Sequence, residues 1–114
     1  MLLYKFTKRT EPPYFLVTFE PELEFLSAYL FLIFDRKTYA WVKEGIDSVL
    51  NKGMGFAERD MEWYGAEIRP ETTRIYPTLE DSNIEGNTIK TADFDAVLTA
   101  YFAEKEKYDK QRML

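Results

Sequence analysis

The strand-like segments of this chain follow one another so closely that the sheet they build has to be antiparallel. Residues 2–8 place apolar side chains at Leu2, Tyr4 and Phe6, the alternation of a half-buried strand, and Glu11-Pro12-Pro13 breaks it. Residues 14–19 are aromatic and β-branched and stop at Glu20-Pro21. Residues 62–69 and 72–76 end at Pro70 and Pro77 and imply a hairpin turning at 69–72, and residues 88–90 read as a last short strand after the turn formers around Asn83 and Gly86. A parallel crossover needs about a dozen residues or more, whereas connections of two to six residues pair neighbours antiparallel.

Two helices interrupt the strands. Asp35 and Thr38 offer N-caps, Val42, Ile46, Val49 and Leu50 follow at helical spacing, and Asn51-Lys52-Gly53 supplies a stop, so a helix is expected over 38–52. Its interior Gly45 implies close packing on the sheet. Thr91 is the expected cap of a second helix, with Asp93 and Asp95 in its first turn and Phe94, Val97, Leu98, Tyr101, Phe102 and Tyr108 as one apolar stripe. Residues 22–34 are ambiguous. Leu23, Leu26, Leu30 and Ile33 have helical spacing, while 28–34 is one unbroken apolar run; a turn at 20–25 followed by a strand is the expectation, with a helix left open. The expected fold is α+β, an antiparallel sheet of about five to six strands with two helices packed on it, in the order β-β-β-α-β-β-β-α.

At 114 residues the chain reads as a single domain, 1–114, able to bury roughly two-thirds of its unfolded surface. Nineteen Phe, Tyr and Trp residues exceed what so small a core holds comfortably, so some should reach the surface. No cysteine removes disulfides and thiolate chemistry, and no histidine removes the usual general base and the commonest metal ligand. The first residues lack a charged segment ahead of an apolar run, and the longest apolar run, seven residues, is far too short to span a bilayer. A cytoplasmic protein with no cofactor, no metal and no membrane partner is expected. A sequence pI near 4.8 argues against direct nucleic-acid binding, which draws its affinity from cations on phosphates.

The acidity is local. Residues 58–95 hold ten acidic side chains against four basic ones, and the remainder is near neutral. Asp93 and Asp95 are accounted for as helix-start residues. The others cluster on the expected hairpin and its flanks, with three aromatic residues among them. Glu58, Asp60, Glu62, Glu67, Glu80, Asp81 and Glu85, with Trp63, Tyr64 and Tyr76 as anchors, are therefore the candidate residues for binding a basic partner: aromatic side chains supply contact area and a carboxylate rim raises the encounter rate. The weighed alternatives are a core Trp63 with the acids scattered over two sheet edges, a hydrolase running on two carboxylates, and an oligomerising structural or regulatory module.

Residues 20–30 (Glu-Pro-Glu-Leu-Glu-Phe-Leu-Ser-Ala-Tyr-Leu), the helix 38–50 and the ending Asn87-Thr88-Ile89-Lys90-Thr91-Ala92-Asp93-Phe94 resemble small bacterial immunity proteins of polymorphic-toxin and contact-dependent growth inhibition systems. The resemblance covers most of the chain loosely. It implies a non-enzymatic, acidic α+β domain that binds and neutralises a cognate toxin domain, nucleases among them; a monomer or homodimer is expected. It carries over no toxin-contacting residue.

Overall fold

A computed structural model of the chain describes residues 3–8, 15–20, 23–33, 35–78 and 86–112. The elements run β1 (Leu3–Lys8), β2 (Phe15–Glu20), α1 (Glu24–Phe31), α2 (Arg36–Asn51), β3 (Ala57–Glu58), β4 (Tyr64–Ile68), β5 (Thr72–Pro77), β6 (Asn87–Lys90) and α3 (Thr91–Arg112). The architecture is α+β and every strand pairing is antiparallel, as the short connections require. The strands form two sheets, however: the hairpin β1-β2 and a four-stranded sheet in the order β3-β4-β5-β6. Among the described residues three helices pack with them.

The expected strand within residues 28–34 is instead α1. Leu26, Tyr29 and Leu30 are fully buried, so the helical spacing of the leucines determines the segment and the unbroken apolar run reflects a helix enclosed by its neighbours. Its beginning is closed from far away in sequence. Leu23 at the N-cap offers no side-chain acceptor, and Asn87 of β6 supplies one, its Oδ1 accepting the N–H groups of Phe25 (2.8 Å) and Leu26 (3.2 Å). Asp35 caps α2 as expected, accepting from the Thr38 N–H at 2.8 Å, and Gly53 follows that helix in the left-handed conformation (φ 74°) that a residue without Cβ adopts freely.

One strand was not expected from the sequence, and one expected cap needs correction. Residues 53–61 contain the two-residue strand β3, whose ladder with β4 continues through reciprocal Arg59 and Ala66 backbone bonds. Thr91 is the first residue of α3, not its cap. Its buried hydroxyl donates to the Arg69 carbonyl at the β4-β5 turn, and with that proton committed, Thr73 donates to Thr91 Oγ1 at 2.8 Å.

One face of the four-stranded sheet carries Ala66, Ile68, Thr73, Ile75 and Ile89, all buried, and the helices cover it. The expected α3 stripe is buried in full: Phe94, Val97, Leu98, Tyr101, Phe102 and Tyr108. Tyr29 and Tyr101 are fully buried, and burial, the larger cause, together with nearby carboxylates pushes both phenols well above their ordinary range. Among the described residues no helix is long and apolar enough to cross a membrane.

Two outcomes test this packing. Asn87→Ala should lower unfolding free energy by about 1–2 kcal/mol in urea with an unchanged m-value, and Asn87→Asp, which retains the acceptor, should cost much less. Because Tyr29 and Tyr101 hold their protons more tightly folded than unfolded, the stability they confer is complete below about pH 10 and is lost as the pH climbs above it. Urea midpoints measured at rising alkaline pH should fall from that point onward, and Tyr101→Phe should flatten the decline.

Candidate functional site

The period of two along β3-β4-β5 decides where the acidic residues go. Ala57, Arg59 and Met61 point toward the helices, so Glu58 and Asp60 between them point away. Register places Glu58 opposite Glu67, Glu67 opposite Arg74 and Gly65 opposite Tyr76, and these residues make up the face that the helices leave uncovered.

Arg59 fixes that alternation. Its guanidinium reaches α2, where Nε donates to the Trp41 carbonyl (2.9 Å) and the charge sits 5.3 Å from the Trp41 ring centre. Gly45 makes the room: a Cβ there would lie 3.0 Å from Arg59 Nε. The backbone of Arg59 is held as well, since its carbonyl accepts from the buried Tyr29 hydroxyl at 2.7 Å.

On the outward face, Glu67 is neutralised by Arg74 (Nε to Oε1, 2.8 Å), whose guanidinium lies 4.6 Å from the Tyr76 ring centre. Glu58 and Asp60 converge on a single phenol. The Tyr76 hydroxyl donates to Asp60 Oδ1 at 2.6 Å, with Glu58 Oε2 at 3.3 Å. Burial first, and then the bond to Asp60 and the charges of Asp60 and Glu58, make the Tyr76 phenol far less acidic than usual. Among the described residues neither Glu58 nor Asp60 forms an ion pair. The site is thus two adjacent carboxylates held by one phenol beside a neutralised Glu67–Arg74 pair.

The sequence candidates divide accordingly. Glu58, Asp60, Glu67 and Tyr76 come together. Glu62 and Trp63 lie in the β3-β4 connection at its end, tied down by Thr78, whose N–H and hydroxyl donate to the Trp63 and Glu62 carbonyls; Trp63 is 51% exposed and is not a core residue. Tyr64 lies on the opposite face, against the core and 6.0 Å from the Phe25 ring, so it serves packing. Glu80, Asp81 and Glu85 lie outside the described residues. Sequence reasoning passed over Arg74, Arg59 and Gly65. The turn at 69–72 contained the signal for two of them, because the register it imposes sets Glu67 against Arg74 and Gly65 against Tyr76. It also passed over Phe56, which is exposed beneath the Arg69 guanidinium at 4.8 Å.

Comparison with protein families, with curated proteins and with solved structures returns no match.

Gly65 is the position that lets this arrangement close. A Cβ there would fall 2.2 Å from Asp60 Oδ1 and 2.8 Å from the Tyr76 ring. Gly65→Ala should therefore separate the phenol from Asp60, cost about 1–3 kcal/mol through overpacking, and make Tyr76 easier to ionise. Tyrosinate absorbance in a pH titration, with Tyr76→Phe identifying the signal, measures the last effect.

Proposed function

We propose that this protein is an inhibitory binding partner of the immunity type, covering a basic surface of a cognate toxin domain with the outward face of β3-β4-β5. The observation that carries the reading is the convergence of Glu58 and Asp60, without cationic partners among the described residues, beside Glu67 on the face of the four-stranded sheet that the helices leave open. A like-charge pair directly opposite across strands, Glu58 and Glu67, is unfavourable in the free chain, and a partner's cations relieve it. Exposed Trp63 at the end of this face supplies apolar contact of the kind found at interface centres, and Tyr76 contributes a ring already held rigid by two hydrogen-bond acceptors and a stacked guanidinium.

Binding of this kind needs no chemistry from the chain, so the role is non-catalytic, in the cytoplasm where such a toxin would act. The immunity role rests on the resemblance of the sequence to that class, together with the acidic face. Its function can be read out directly by co-expressing the chain with the toxin domain encoded beside it and scoring survival.

The electrostatic character of the face sets the quantitative expectation. Association with the toxin domain should slow by about tenfold or more as ionic strength rises well past physiological, and the double variant Glu58→Lys/Asp60→Lys should lower the association rate to a similar degree while leaving the helical circular dichroism intact. A rate insensitive to both salt and these substitutions would remove the sheet face from the interface.

A further inference from the structure

The helical layer holds a recessed surface that the sheet face does not account for. Between α2 and the start of α3 lies an open groove of about 390 Å³, within the size range of side-chain and small-ligand sites. Ile46 and Leu50 give it an apolar floor, with Leu50 at 37% exposure. Three carboxylates border it, Glu44, Asp47 and Asp95, against one cation, Lys43. That cation is already spent: Lys43 Nζ lies 2.5 Å from Asp95 Oδ1 and donates to Thr99 Oγ1 at 3.0 Å. Glu44 forms no ion pair among the described residues, and Asp47 is held by the Asn51 amide at 2.6 Å with only an exposed Lys52 at 3.5 Å.

Glu44 and Asp47 are three apart on one helix and so stand side by side at the mouth of an apolar trough. That combination suits a long side chain with an apolar stem and a cationic head. A guanidinium fits better than an ammonium, because it is more weakly hydrated and presents a planar fork of donors to adjacent carboxylates. We propose that this groove seats an arginine side chain of a partner protein, with its stem on Ile46 and Leu50 and its guanidinium against Glu44 and Asp47. The groove is built from the layer that covers the other side of the sheet from Glu58 and Glu67, so this docking point is independent of the sheet-face reading and stands or falls separately.

The test uses the full chain and a pair of blocked tripeptides, leucine-arginine-leucine and its neutral citrulline twin, followed by two-dimensional NMR of the backbone amides. Saturable shifts are expected at Glu44, Asp47 and Leu50, with the arginine peptide binding at least about fivefold more tightly than the citrulline peptide, about 1 kcal/mol. Glu44→Gln/Asp47→Asn should abolish that preference, and Glu58→Gln/Asp60→Asn should leave it unchanged. These four side chains are half-buried or exposed, and circular dichroism confirms that the variants fold. Equal affinity for the two peptides, shifts confined to residues 58–67, or no shifts with either peptide would overturn the proposal.

Discussion

The arrangement depends on where Arg59 goes. Its guanidinium turns inward to the Trp41 carbonyl and ring across the gap left by Gly45, its carbonyl takes the Tyr29 hydroxyl, and its backbone pairs with Ala66. One residue thereby ties α1, α2 and β4 to the end of β3. Since successive residues of a strand point to opposite faces, an inward Arg59 forces Glu58 and Asp60 outward. A slip of one residue would send two carboxylates into the apolar layer and leave the cation in solvent, which is the kind of error that burial penalises by several kcal/mol. The acidic face is therefore a consequence of the same contacts that fasten the sheet edge to the helices.

That coupling accounts for features that look unfavourable locally. β3 is only two residues long and carries a glutamate opposite another glutamate. A short, charged edge strand resists pairing with other chains edge to edge, so the same residue that strains the ladder also keeps the sheet from extending. The phenol of Tyr76 and the guanidinium of Arg74 limit the strain, one by donating to Asp60, the other by neutralising Glu67. What is left over is a small, rigid concentration of negative charge, which costs little conformational entropy to present to a partner.

The antiparallel character, the span of α2 to within two residues, its Asp35 cap and Gly53 stop, and the entire buried stripe of α3 could be read from the chain, because each is written in local signals: short connections, turn residues and helical periodicity. The identity of α1 could not. Its cap comes from Asn87, sixty-two residues away, and an apolar run enclosed on several sides loses the polar face that would mark its period. The division into two sheets has the same origin, since a helix rather than a strand follows β2. Within the candidate site, charge and aromatic content single out Glu58, Asp60, Glu67 and Tyr76, which the structure gathers on one face, and also Tyr64, which the alternation along β4 sends to the other face, against the core. Arg59 reads as one more surface cation in sequence. Only the packing of α2 shows that it is the residue on which the others turn.

The proposed role requires the open sheet face to be the most negative part of the surface, and this can be measured before any partner is in hand. Paramagnetic relaxation of the backbone amides by cationic and by anionic nitroxide cosolutes, taken as a ratio at each residue, maps the near-surface potential. The largest cation preference is expected at Glu58, Asp60, Gly65 and Glu67, falling when Asp60 is replaced by Asn. A preference spread evenly over the molecule, or highest on the helices, would contradict the role assigned to that face.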